Sequence, residues 1–120
     1  MTTDHAPLCI LLAEDEMLLA MMLEDRLNIS GYRVLKAARL AKCMELAESA
    51  PIDLAILDIN LAGEASFPAA LILRRRGIPF VFSSGYDEQD VPEAWRNENI
   101  LQKPYDSRQL NAALTGLLAV

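Results

Sequence analysis

Short apolar runs alternate with helix-like periods along the whole chain, and this alternation restricts the fold more than any other feature. Leu8 to Ala13 ("LCILLA") reads as a first strand, and Leu54 to Ile59 ("LAILDI") as a third; both are apolar enough to be buried on both faces. Between them, Tyr32 to Ala37 ("YRVLKA") alternates as a second strand. "IPFVFSSG" supplies a fourth and "NILQKP" a fifth. A helix is predicted from Glu16 to Ile29, with Leu19, Met22, Leu23 and Leu27 on its buried side and Gly31 stopping it. Leu40, Cys43, Met44 and Ala47 fall at helical spacing before Pro51. Ser66, with Pro68 just inside, opens a third helix that ends at Gly77. The stretch "DEQDVPEAWRNE" predicts a short helix interrupted by Pro92. Asp106 caps a last helix, with Gln109 three residues on as in a capping box. Five strand–helix units in 120 residues imply an α/β fold: a parallel sheet with helices on both faces.

Composition narrows the function classes. A length of 120 residues suits one domain, expected to span 1–120 with no output domain. At 52% hydrophobic and 23% charged, the chain is neither disordered nor membrane-like, and no apolar run approaches the roughly 20 residues of a membrane span. The first residues, "MTTDHAPLCI", lack the basic region of a secretory leader, so a cytoplasmic protein is expected. Cys9 and Cys43 read as core thiols in a reducing compartment and not as a disulfide. A formal net charge of −6 opposes nucleic-acid binding, and Arg74 to Arg76 close a helix whose C-terminal dipole favours cations. His5 lies in a polar tail with no acids arranged around it.

Ligands of such sheets bind beyond the carboxyl ends of the strands, where the winding reverses. The strand ends therefore belong together: Glu14 and Asp15 after the first, Asp58 after the third, Ser83 and Ser84 after the fourth, Lys103 and Pro104 after the fifth. Three carboxylates repel one another unless a cation gathers them. Mg²⁺ prefers carboxylate and water oxygens, so Glu14 and Asp15 are expected to hold that metal.

The pattern "LLAEDE", "LAILDINL", "FVFSSGYD" and "LQKPY" resembles the receiver domain of two-component response regulators, in order and across essentially the whole chain. The strand-four and lysine motifs further resemble a subgroup with a Phe-x-Ala-Thr-Gly-Tyr signature, common in alphaproteobacteria. The resemblance implies a flavodoxin-like, doubly wound (βα)5 fold with strand order 2-1-3-4-5. It implies that Asp58 accepts a phosphoryl group from a histidine on a sensor kinase or a histidine phosphotransfer protein. Asp15, Asp58 and the backbone carbonyl of Asn60 would ligate Mg²⁺, and Glu14 would act through a metal-bound water. Lys103 and Ser84 would each contact a phosphoryl oxygen, and Gly85 would leave room for the group. Pro104 would restrict the lysine loop, a cis bond being one way of doing so. The chemistry fits the residues independently, because transfer to a carboxylate needs positioning and charge neutralisation.

Each of these residues also has a bland reading, Asp58 as a turn residue and Lys103 as a solvated lysine; their coincidence at four strand ends favours chemistry. Tyr86 is expected either to shield the phosphoryl site or to cover the sheet edge. Trp95 and Tyr105 read as packing or interface residues. Two departures stand out. Ile100 occupies the position where many receivers place a switching aromatic, and "INLAGEASFP" lacks their usual Met-Pro and Asp-Gly.

The leading functional reading is a phosphoacceptor, not an enzyme beyond its own phosphorylation and dephosphorylation, that signals to an unidentified downstream protein. A pseudo-receiver adaptor without phosphotransfer is the alternative. A flavodoxin-like enzyme is disfavoured because no Gly-rich loop follows the first strand. Within "MLLAMML", Met17, Ala20 and Met21 are expected to face water beside Asp15 and to dock the kinase. A homodimer contact or an incidental exposed face is the rival reading.

Overall fold

The computed structural model describes residues 7–85 and 91–118. Strands β1 (Cys9–Ala13), β2 (Arg33–Ala37), β3 (Leu54–Asp58), β6 (Phe80–Ser84) and β7 (Ile100–Gln102) form one parallel sheet of order β2-β1-β3-β6-β7. Counting only these strands, that is 2-1-3-4-5, and the sheet reverses direction between β1 and β3 as expected. A two-stranded antiparallel ribbon, β4 (Asn60–Leu61) with β5 (Glu64–Ala65), follows Asp58 directly. Ala62 and Gly63 turn it with φ of 52° and 91°, the left-handed region that suits glycine and costs alanine more.

Helices α1 (Met17–Ile29) and α4 (Ser107–Leu118) cover one face of the sheet, and α2 (Leu40–Ser49) and α3 (Phe67–Arg75) the other. Every residue of β1, β3 and β6 is buried, which explains their unbroken apolar runs. The Asp106–Gln109 capping box forms as expected: the Gln109 N–H donates to Asp106 Oδ1 at 2.8 Å and the Asp106 N–H to Gln109 Oε1 at 2.9 Å. Gly31, at φ 95°, ends α1.

Three expectations are corrected. Ala20 does not face water: it is 7% exposed, on the buried side of α1 with Leu23 and Leu27, while Met22, expected inside, is 51% exposed. A stripe running from Met22 to Leu27 would enclose Arg26, whose charge is costly to bury. Turning the helix towards the small Ala20 leaves Arg26 at the margin. Between β6 and β7 the described residues contain only a single 3-10 turn, Glu93–Trp95, so Pro92 limits this crossover more than expected. Ser66 does begin α3, but its hydroxyl is buried without a hydrogen-bond partner among the described residues and makes no cap.

Candidate functional site

Side chains alternate along a strand, so register decides which strand-end residues share a face. Leu12, Ile56, Val81 and Leu101 all belong to the core beneath α1 and α4. Two residues further along each strand come Glu14, Asp58, Ser83 and Lys103, which therefore leave the sheet on that same side. Strand pairing sets Asp58 level with Ser83.

Lys103 is the centre of the cluster. Its Nζ lies 2.7 Å from Glu14 Oε1 and 2.9 and 3.0 Å from Asp58 Oδ1 and Oδ2. Glu14 is 4% exposed and Asp58 5%, so these are ion pairs sheltered from water. Glu14 Oε2 also accepts the Glu16 N–H at 3.0 Å. Asp15, by contrast, is exposed at the mouth, where its Oδ2 accepts the Ala62 N–H at 3.0 Å. Asn60 uses its side-chain oxygen to accept the Gly63 N–H at 2.7 Å, bracing the ribbon. Asp15, Asp58, Asn60, Ser84, Gly85 and Lys103 line an open cleft of about 530 Å³. Lys103 joins Pro104 through a cis peptide bond.

The electrostatics follow from burial. Asp58 is pushed up to about 7, chiefly by desolvation and further by the Glu14 charge, while Lys103 opposes the rise. Burial also works against the Lys103 charge, but its hydrogen bonds to Glu14 and Asp58 outweigh that and hold its pKa above the usual lysine value.

One oxygen from each of Glu14, Asp15 and Asp58 lies within 4.8 Å of the others. This all-oxygen set, with one member open to water, fits Mg²⁺, which keeps several waters and takes few protein ligands. The same set suits neither a soft metal nor a closed structural site.

Met17 and Met21 are exposed beside the cleft, and Leu18 and Met22 extend the surface. Trp95 is buried among Phe67, Phe80 and Phe82, with the Arg74 guanidinium 3.9 Å above its ring, as a packing residue would be. Tyr105 is half-buried against the α1–α4 core and Ile100 against the opposite one. Tyr86 and His5 lie outside the described residues. Sequence reasoning missed the Glu14–Lys103 ion pair and the placement of Ser83; the alternation that puts Ser83 on the Asp58 face was the available signal.

This fold and this acid–lysine cleft define a class. The response regulator receiver domain pattern matches residues 10–115, and the chain belongs to that family, whose members are signalling domains and not classical enzymes. Among solved structures it is similar to SdrG from Sphingomonas melonis, at 40% identity and a TM-score of 0.82, covering 95% of this chain and 98% of that one. A BeF3-activated conformation of SdrG matches at 38% identity and a TM-score of 0.78. A receiver protein from Sinorhizobium medicae matches at 29% identity and a TM-score of 0.83, over 95% and 96% of the two chains. Among curated relatives, the transcriptional regulatory protein PdtaR of Mycobacterium tuberculosis is 31% identical over 94% of this chain and 59% of its own length. The uncharacterized regulator YbdJ of Bacillus subtilis is 27% identical over 91% and 50%. The chain spans about half the length of the curated relatives it matches.

Proposed function

We propose that Asp58 accepts a phosphoryl group from a phosphohistidine on a sensor kinase or phosphotransfer protein, and that the acyl phosphate changes which proteins this receiver binds. The carrying observation is that Asp58 lies buried at the wall of an open cleft with Lys103 on it and two further acids beside it. An Asp58 oxygen attacks phosphorus, the P–N bond breaks, and its electron pair returns to the imidazole ring. Lys103 steadies the anionic Asp58 before transfer and offers its ammonium to the phosphoryl oxygens afterwards. Ser84, at the cleft wall with Gly85, supplies a hydroxyl to another oxygen. Asp15, Asp58 and the Asn60 carbonyl would hold Mg²⁺ directly and Glu14 through water; the metal supplies charge neutralisation to the transferring group.

The BeF3-activated form of SdrG supports this reading, since trifluoroberyllate has the charge and shape of a phosphoryl group. Exposed Met17, Leu18, Met21 and Met22 form the adaptable apolar surface on which the histidine-bearing partner would dock. No helix among the described residues is long and apolar enough to cross a membrane, in keeping with a cytoplasmic setting. The test is labelling by acetyl phosphate. Mg²⁺-dependent, base-labile phosphate should appear on the wild type and be absent from Asp58→Asn. If the wild type takes no label while it still binds Mg²⁺, the adaptor reading replaces this one.

A further inference from the structure

Two hydroxyl groups, Ser83 Oγ and Tyr105 Oη, are buried with no partner within direct hydrogen-bond distance among the described residues, yet they lie near enough for the Ser83 hydroxyl to act on the Tyr105 phenol. Buried side-chain oxygens are almost always satisfied, by protein or by ordered water. Ser83 is 2% exposed and stands in register between Asp58 of β3 and Leu101 of β7. It therefore lies on the strand that the Lys103 side chain crosses to reach Asp58 and Glu14. Tyr105, two residues past Lys103, packs into the core on the same face. Burial raises the pKa of its phenol, and the Ser83 hydroxyl and the Lys103 charge oppose that rise, so the three groups share one polar neighbourhood.

An ammonium carries three N–H donors. Glu14 Oε1 takes one. The two Asp58 oxygens stand at nearly equal distances, 2.9 and 3.0 Å, which one N–H pointed between them can serve. We propose that the third N–H, Ser83 Oγ and Tyr105 Oη are joined through a single bound water, which makes Ser83 and Tyr105 positioning residues for Lys103. A buried water typically makes about three hydrogen bonds, the number this niche offers. The water would hold the ammonium over β6 at the flank of Asp58, where a phosphoryl oxygen must find it. This consequence rests on the phosphoacceptor reading; the geometry does not.

The test uses the full chain, unphosphorylated, and follows the ammonium of Lys103 by ¹⁵N NMR, which is practical because the chain has only three lysines. Ser83→Ala and Tyr105→Phe each delete one oxygen. Each should speed proton exchange at Lys103 Nζ, and the double variant should be no faster than the faster single one. Exchange unchanged in either variant, or an additive effect, overturns the proposal; so does unchanged exchange with a higher melting temperature, the mark of orphan hydroxyls simply removed. Labelling by acetyl phosphate should slow about three- to tenfold in each variant, the worth of one hydrogen bond, with half-saturating Mg²⁺ unchanged. Altered exchange with full-speed labelling would overturn the positioning role. A wild type that takes no label at all sinks the phosphoacceptor reading instead, while the exchange measurement still decides the niche.

Discussion

Lys103 Nζ is closer to Glu14 Oε1, at 2.7 Å, than to either oxygen of Asp58. The lysine from the last strand end thus ties the first strand end to the third. Removing it leaves two buried carboxylates facing each other without a cation. We expect Lys103→Met to cost about 3–5 kcal/mol of metal-free stability near neutral pH, as breaking buried pairs does. Glu14→Gln in the same background should restore part of that loss. Urea unfolding would check both, and a loss under about 1 kcal/mol would mean that the pair contributes no more than a surface bridge.

Asp58 makes stability depend on pH. Burial raises its folded pKa from 3.8 to about 7, so the native state keeps a proton that the unfolded chain gives up. Its contribution is full below the unfolded value and is lost as pH rises through about 7. Asp58→Asn should therefore gain about 1–3 kcal/mol on the wild type near pH 8 without metal, and nothing near pH 4. Added Mg²⁺ should shrink the gap. A gap of equal size at both pH values would show that burial of the carboxyl is not its source.

On α1, Met17→Lys with Met21→Lys should slow phosphotransfer from a histidine-bearing partner yet spare labelling by acetyl phosphate, because both side chains are exposed. Ala20→Lys should behave differently. It forces a charged chain into a buried position on α1 and should lower stability by roughly 2 kcal/mol or more. Parallel loss of both phosphodonor reactions in the methionine variants would refute the docking role.

The cysteines should be silent. Burial lifts the Cys43 thiol to about 11 and raises Cys9 as well, against a partial lowering by Arg33. Near pH 8, a thiol reagent should find neither cysteine in the folded protein and both in urea. The Cys43 shift also implies that stability declines as pH climbs from about 9 to 11, since the unfolded thiol ionises first. Fast labelling of folded protein would contradict the burial.

The strand ends were legible because parallel strands buried on both faces leave apolar runs that stop abruptly at polar residues. That is enough to place Glu14, Asp15, Asp58, Ser84 and Lys103 on one rim from the sequence. The facing of α1 was not legible, because "MLLAMML" is apolar around most of the helix and only the cost of burying Arg26 breaks the tie. The β4–β5 ribbon was missed because its turn uses Ala62 at positive φ, where a pattern reader looks for glycine or asparagine. Ser66 looked like a cap in sequence, yet the backbone turned its hydroxyl inwards.

The Ala62 N–H that donates to Asp15 Oδ2 gives the cleft a gauge of its own occupancy. Any cation that binds Asp15 withdraws charge from its carboxylate, so the strength of that one amide bond should change when the cleft fills. A single backbone resonance, on an alanine with no part in the chemistry, can therefore count loaded molecules in a mixed population without a label, an additive or a partner protein.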